Sequence, residues 1–100
     1  MSIDFALDEL YATGWTALDT SGCERAGDGR WFPRAATVSR EFEAAGFTLT
    51  VNHIQLFDCY RAEWNDEQGR PAGAVVGQSA DEASVYALSQ LRRAVASASA

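Results

Sequence analysis

Residues 60–82, YRAEWNDEQGRPAGAVVGQSADE, change their apolar spacing twice, and that change decides the fold. Tyr60, Ala62 and Trp64 alternate with Arg61 and Glu63, which sets apolar side chains on one side of a strand and charged ones on the other. Asn65 to Pro71 carries turn chemistry, and Gly73 to Gln78, with Val75 and Val76, predicts a short strand returning beside the first. Ser79-Ala80-Asp81-Glu82 is a capping box: the serine hydroxyl takes the Glu82 amide and the Glu82 carboxylate returns to the serine amide. Ala83, Ala87, Leu91 and Val95, with Leu88 beside them, then mark one face of a helix over 79–95. Ala96 to Ala100 is expected to be a frayed tail.

Upstream, Phe47, Leu49 and Val51 alternate with Thr48 and Thr50 in another half-buried strand. The alternation lapses from Asn52 to Leu56, which predicts a turn or bulge there and a following strand that begins near Phe57. Val38, Phe42 and Ala45 stand at i, i+4 and i+7. With Pro33 at the first helical position and Gly46 as the stop, they predict a helix over 33–45. The order over 33–95 is therefore helix, three strands, helix. The expected class is α+β, a three-stranded antiparallel sheet with two helices packed on one face and its other face open. An extra N-terminal helix is expected from Ile3, Leu7, Leu10, Tyr11 and Leu18, capped by Ser2 or Asp4. It stops near Gly14, or else runs on through residues 14–19. Residues 19–32 lack any period and predict a long loop. The whole chain is expected to be a single domain.

Tyr60 to Trp64, the glycine-containing turn, Gly73 to Gly77, Ser79, Ala83, Ala87, Leu88 and Leu91 together resemble the C-terminal half of a double-stranded RNA-binding domain. The likeness covers about residues 33–93. It implies that family's α-β-β-β-α scaffold, with a last helix that opens after a Gly-x-Ser step and uses alanines for close approach to the sheet. The family grips RNA through lysines at the start of that helix. The matching positions here are Ala80, Asp81 and Ser84, and His53 stands near the family's minor-groove histidine. What the resemblance implies is therefore a scaffold that has lost its RNA-binding cations.

Charge points the same way. The 100 residues carry a formal charge of −6, with eight arginines and no lysine. Such a chain repels phosphate backbones and anionic membranes, so neither nucleic acid nor a membrane is an expected partner. Half of the cations fall in one segment, Arg25, Arg30, Arg34 and Arg40. At 47% apolar and 22% charged the composition is that of a folded domain. There is no apolar run of membrane-spanning length, and an acidic N-terminal stretch does not look like an export signal, so a cytoplasmic location is expected. Cys23 and Cys59 are then expected to be reduced.

Little in the chain points to catalysis. Gly22 to Gly29 lacks the Lys-Ser/Thr ending of a phosphate loop. His53, Asp58 and Cys59 are the nearest approach to a nucleophile or metal cluster, and two cysteines and one histidine are too few for a structural zinc site. No catalytic, metal or cofactor residues are assigned, and a non-enzymatic interaction module is expected. Its partner is a protein or a second copy. Candidate partner-binding residues are Arg30, Trp31, Phe32 and Arg34, because desolvated Trp and Arg dominate interfaces. For each of the two aromatics, folding back onto the core is the favoured alternative. Phe57 and Arg61 are added because Phe57 and Cys59 share the alternation of Arg61 and Glu63, giving an apolar patch on the open face unless the first helix covers it. The alternatives are nucleic-acid binding through Arg25 to Arg40, or acidic mimicry of nucleic acid.

Overall fold

Alternation in β3 (Thr48–Ile54) and β4 (Cys59–Asn65) sends Leu49, Val51, Ala62 and Trp64 to one side of an antiparallel pair, with Leu49 opposite Trp64 and Val51 opposite Ala62. The computed structural model describes residues 3–99. β5 (Pro71–Gly77) pairs with the far side of β4, so the sheet order is β3-β4-β5 with β4 central. Helices α2 (Ala35–Ala44) and α3 (Ala80–Ser99) cover the apolar side. Phe42 of α2 meets the Trp64 ring at 5.2 Å between centroids. At the other end Gly77 touches α3 so closely that an added Cβ would sit 2.6 Å from the Ala83 nitrogen. Among the described residues the architecture is α+β, with three helices and two antiparallel sheets of two and three strands.

Helix α1 (Asp4–Ala12) does not lie on the sheet; it packs along the outer side of α3. Arg92 donates to the Thr13 hydroxyl at 2.8 Å, which ties the end of α1 to α3. Sandwiched this way, α3 is buried at 83–85, 87–89 and 91, including the small polar residues Ser84 and Ser89. Their hydroxyls are satisfied within the helix by the Ala80 and Val85 carbonyls. A serine here is small enough for close helix packing and keeps no unpaired group in the core. Ala6, Leu7 and Leu10 supply the α1 side of one continuous core with Phe42, Trp64 and Leu88.

Several boundaries differ from the sequence expectation. Residues 19–32 are not a plain loop: β1 (Cys23–Arg25) and β2 (Trp31–Pro33) form a small hairpin, too short for a period to show. Pro33 ends β2, fully buried, and α2 begins at Ala35 after Arg34. The Ala35 amide is capped from outside by the Asp81 carboxylate at 3.2 Å. β3 runs on to Ile54, because Asn52 and His53 keep alternating in direction although neither is apolar. The link is the single 3₁₀ turn Gln55–Phe57, so β4 starts at Cys59. β5 starts at Pro71, earlier than predicted, and ends before Gln78. Helix α1 stops short of Gly14, and Leu18 is 96% exposed and not part of its apolar face. Of its two proposed caps, Asp4 is already helical and Ser2 lies outside the described residues.

The capping box forms with one change. Ser79 Oγ accepts the Glu82 amide at 3.0 Å, but the Glu82 carboxylate accepts from the Gln78 amide at 2.7 Å, one residue before the serine. Replacing Ser79 by alanine is expected to cost about 1 kcal/mol, read as a lower midpoint of urea unfolding at unchanged slope. Helix α3 continues through Ala96 to Ser99, where a frayed tail was expected, Ala100 lying outside the described residues. Val95 is exposed and takes no place in the buried face. Among the described residues no helix is long and apolar enough to cross a membrane.

Candidate docking surfaces

The hairpin that carries Arg30, Trp31, Phe32 and Arg34 works as a strap across the N-terminal helix. Tyr11 of α1 donates its hydroxyl to the Trp31 carbonyl at 2.7 Å. Arg30 bonds Asp8 of α1 and Asp28 of its own turn, each at 2.7 Å, and lies over the Tyr11 ring. These contacts hold both groups charged: the Arg30 amide and then its guanidinium pull the Asp28 carboxyl below its usual range, and Asp8 and Asp28 raise Arg30. Phe32 is core, and Trp31 is half-buried beneath the Arg25 guanidinium, 5.1 Å from the ring centroid. Arg34 pairs with Glu24 across the hairpin at 3.2 Å. Three of the four arginines in the basic segment thus have intramolecular acids or rings, leaving Arg40 with no charged partner among the described residues.

Phe57 and Arg61 lie elsewhere, at the end and on the open face of the three-stranded sheet. The 3₁₀ turn that joins β3 to β4 holds Leu56 and Phe57 out in solvent, 84% and 73% exposed. Asp58 closes the turn in the left-handed region at φ 46°, and its carboxylate meets His53 Nε2 at 3.1 Å. The His53 ring packs on Tyr60, 4.8 Å between centroids, so the base of the turn is braced on both sides. Helix α1 packs on α3 and leaves this end bare. On the open face Arg61 pairs with Glu63 at 3.4 Å, and Val76, directly across from Arg61, is 52% exposed. Leu56 was missed at the sequence level because it fell inside the supposed turn. Two adjacent large apolar residues in a short link were the available signal.

His53, Asp58 and Cys59 do not converge. His53 opposes Tyr60 and Cys59 opposes Ile54, and neighbouring pairs in an antiparallel ladder face opposite sides, so the thiol and imidazole point away from each other. Both cysteines are free. Burial first, then Asp19 and Glu41, pushes the Cys23 thiol up, away from the thiolate that nucleophilic chemistry needs. Among the described residues no group of three His, Cys, Asp or Glu side chains is arranged to hold a metal ion. No protein-family model, curated protein or solved structure matches the chain.

Proposed function

We propose that this chain is a small protein-interaction module that docks a different protein through the Leu56–Phe57 turn and the adjoining open face of the sheet. The observation that carries it is the turn itself. Two large apolar side chains are held in water by a braced, single-turn scaffold, where nothing in the fold requires them. Their surroundings set the partner's chemistry. The Asp58 carboxylate, 94% exposed beside Phe57, fits a recess that is apolar inside and basic at its rim. The scaffold is read as the degenerate double-stranded RNA-binding domain that the sequence resembles. Support comes from the start of α3, where Asp81 caps α2 and Ser84 is fully buried, so two of the three lysine positions serve internal packing instead. The arginine-rich hairpin is similarly occupied, which weighs against nucleic acid as the ligand.

The test is paired capture. Wild-type protein and Leu56→Ser/Phe57→Asp are immobilised and exposed to the same cell extract, and a protein held by the former is purified and titrated against both. Both side chains are exposed, so the variant is expected to unfold within a few degrees of wild type. Loss of two apolar anchors is expected to weaken the purified pair about a hundredfold, roughly 2.7 kcal/mol. Equal affinity for wild type and variant sinks the reading. So does a duplex RNA bound at moderate salt with the steep salt dependence of phosphate contacts.

A further inference from the structure

The connection from α1 to β1, together with α2 and α3, borders a cavity of about 430 Å³, within the roughly 300–1,000 Å³ of small-molecule sites. Trp15 and Pro33, both buried, give it apolar walls, and Leu18 lines it although 96% exposed. Three charged side chains line it too: Asp19, Glu41 and Arg92. None of the three has an oppositely charged partner among the described residues. Arg92 is fixed through Nε and Nη2, which bond Thr13, and its Nη1 has no bond among the described residues. Asp19 is fixed by the Ser21 amide and hydroxyl, at 2.9 and 2.7 Å, and these bonds hold its carboxyl below the usual range. Both go to one oxygen, which leaves the other for a ligand.

The three charges are spread along the cavity. The Cys23 thiol reaches the Asp19 carbonyl at 3.8 Å, and the Thr37 hydroxyl donates to the Gly22 carbonyl, so Asp19 belongs to the end where α2 meets the hairpin. Glu41 lies one turn further along α2, about 5.4 Å on, and shares a second groove with Arg92. Both carboxylates act on the Cys23 thiol, Asp19 the more strongly. We propose that this cavity binds a free amino acid with a cationic side chain: its α-carboxylate on Arg92, its α-ammonium on Glu41 and its side-chain cation at Asp19. The aliphatic stem then lies against Trp15, Pro33 and Leu18. Charge selects this class, since two negative groups and one positive are matched by a ligand with the reverse. A simple amine leaves Arg92 unmatched, and an amino acid with a neutral side chain leaves Asp19 unmatched. No lining residue belongs to the Leu56–Phe57 turn, so the site stands independently of the docking reading.

Amide-resolved NMR of the full chain, titrated with L-arginine, is expected to show saturable shifts centred on residues 14–23, 37–41 and 92, with a Kd of about 0.5 mM. Agmatine, which lacks the carboxylate, and L-leucine, which lacks the side-chain cation, should each bind about tenfold more weakly. Glu41→Gln, at an exposed residue with no ion pair to lose, should melt with the wild type and weaken L-arginine about tenfold. Asp19→Asn keeps an acceptor for Ser21; it should weaken L-arginine about fivefold and leave L-leucine unchanged. Absence of saturable shifts up to about 20 mM L-arginine overturns the proposal. So does agmatine or L-leucine binding as tightly as L-arginine, or an affinity that neither Glu41→Gln nor Asp19→Asn lowers.

Discussion

A chain that begins at Pro33 is expected to lose its cooperative thermal transition and its near-ultraviolet circular dichroism, although it keeps every strand of the larger sheet. The reason is the position of α3. Its sheet side is covered by β3, β4 and β5 and one flank by α2, and the remaining side is the one on which α1 packs. Deleting residues 1–32 removes Leu7, Leu10, Trp15 and Phe32 from the core and uncovers the side of α3 on which α1 packs. Burial of each large apolar side chain is worth about 1.5–3 kcal/mol, and a domain of this size is stable by about 5–15 kcal/mol in all. Four such losses, with the facing residues left wet, are of the same order as the total. Retention of a sharp transition within a few degrees of the full chain would show α1 and the hairpin to be appendages.

The second large effect is expected at Gly77. Its added Cβ would lie 2.6 Å from the Ala83 nitrogen and 3.0 Å from the Ala83 Cα, and these are backbone atoms of a buried helix, which cannot swing aside. Gly77→Ala must therefore push the start of α3 off β5. The expected cost is about 3 kcal/mol, the upper end of overpacking, or roughly 15 °C in melting temperature for a domain this size. Gly27→Ala is the control: an added Cβ there meets nothing within 4 Å, and no more than a small change is expected. Equal melting temperatures for the two variants would mean that α3 and β5 can separate freely. Gly73 plays a different part: a Cβ there would run into the indole of Trp64, its partner on β4, so the glycine leaves room for that ring. Gly77 and Ala83 are the small residues that let α3 and β5 approach.

The three-strand meander and the helices around it were legible because each has a strong local signal. Leu49, Val51, Ala62 and Trp64 alternate, Val38 and Phe42 repeat at helical spacing, and Ser79 with Glu82 announces α3. All appear in the structure as expected, with ends displaced by a few residues. The β1–β2 hairpin was not legible, because three-residue strands show no period and this pair is held by contacts with α1 and α2. Tyr11 to Trp31, Arg30 to Asp8 and the Thr37 hydroxyl to the Gly22 carbonyl are all distant in sequence. Of the candidate partner residues, composition alone could not separate Phe32 from Phe57. Both are large aromatics next to turn signals, and one is core while the other stands in water.

Local chemistry in the chain determined where helices and strands begin, which face of each is apolar, and that no lysine would be found at the head of the last helix. Only the tertiary structure decided which of those faces are covered. Coverage depends on where α1 lands, and α1 lands on α3, where Arg92 bonds Thr13 at its end and Arg93 meets Glu9. Periodicity records which way a side chain points, whereas exposure depends on what the rest of the molecule brings to meet it. For that reason Leu56, Phe57 and the outer edge of β5 became visible as unclaimed surface only once the helices and the hairpin had taken their places.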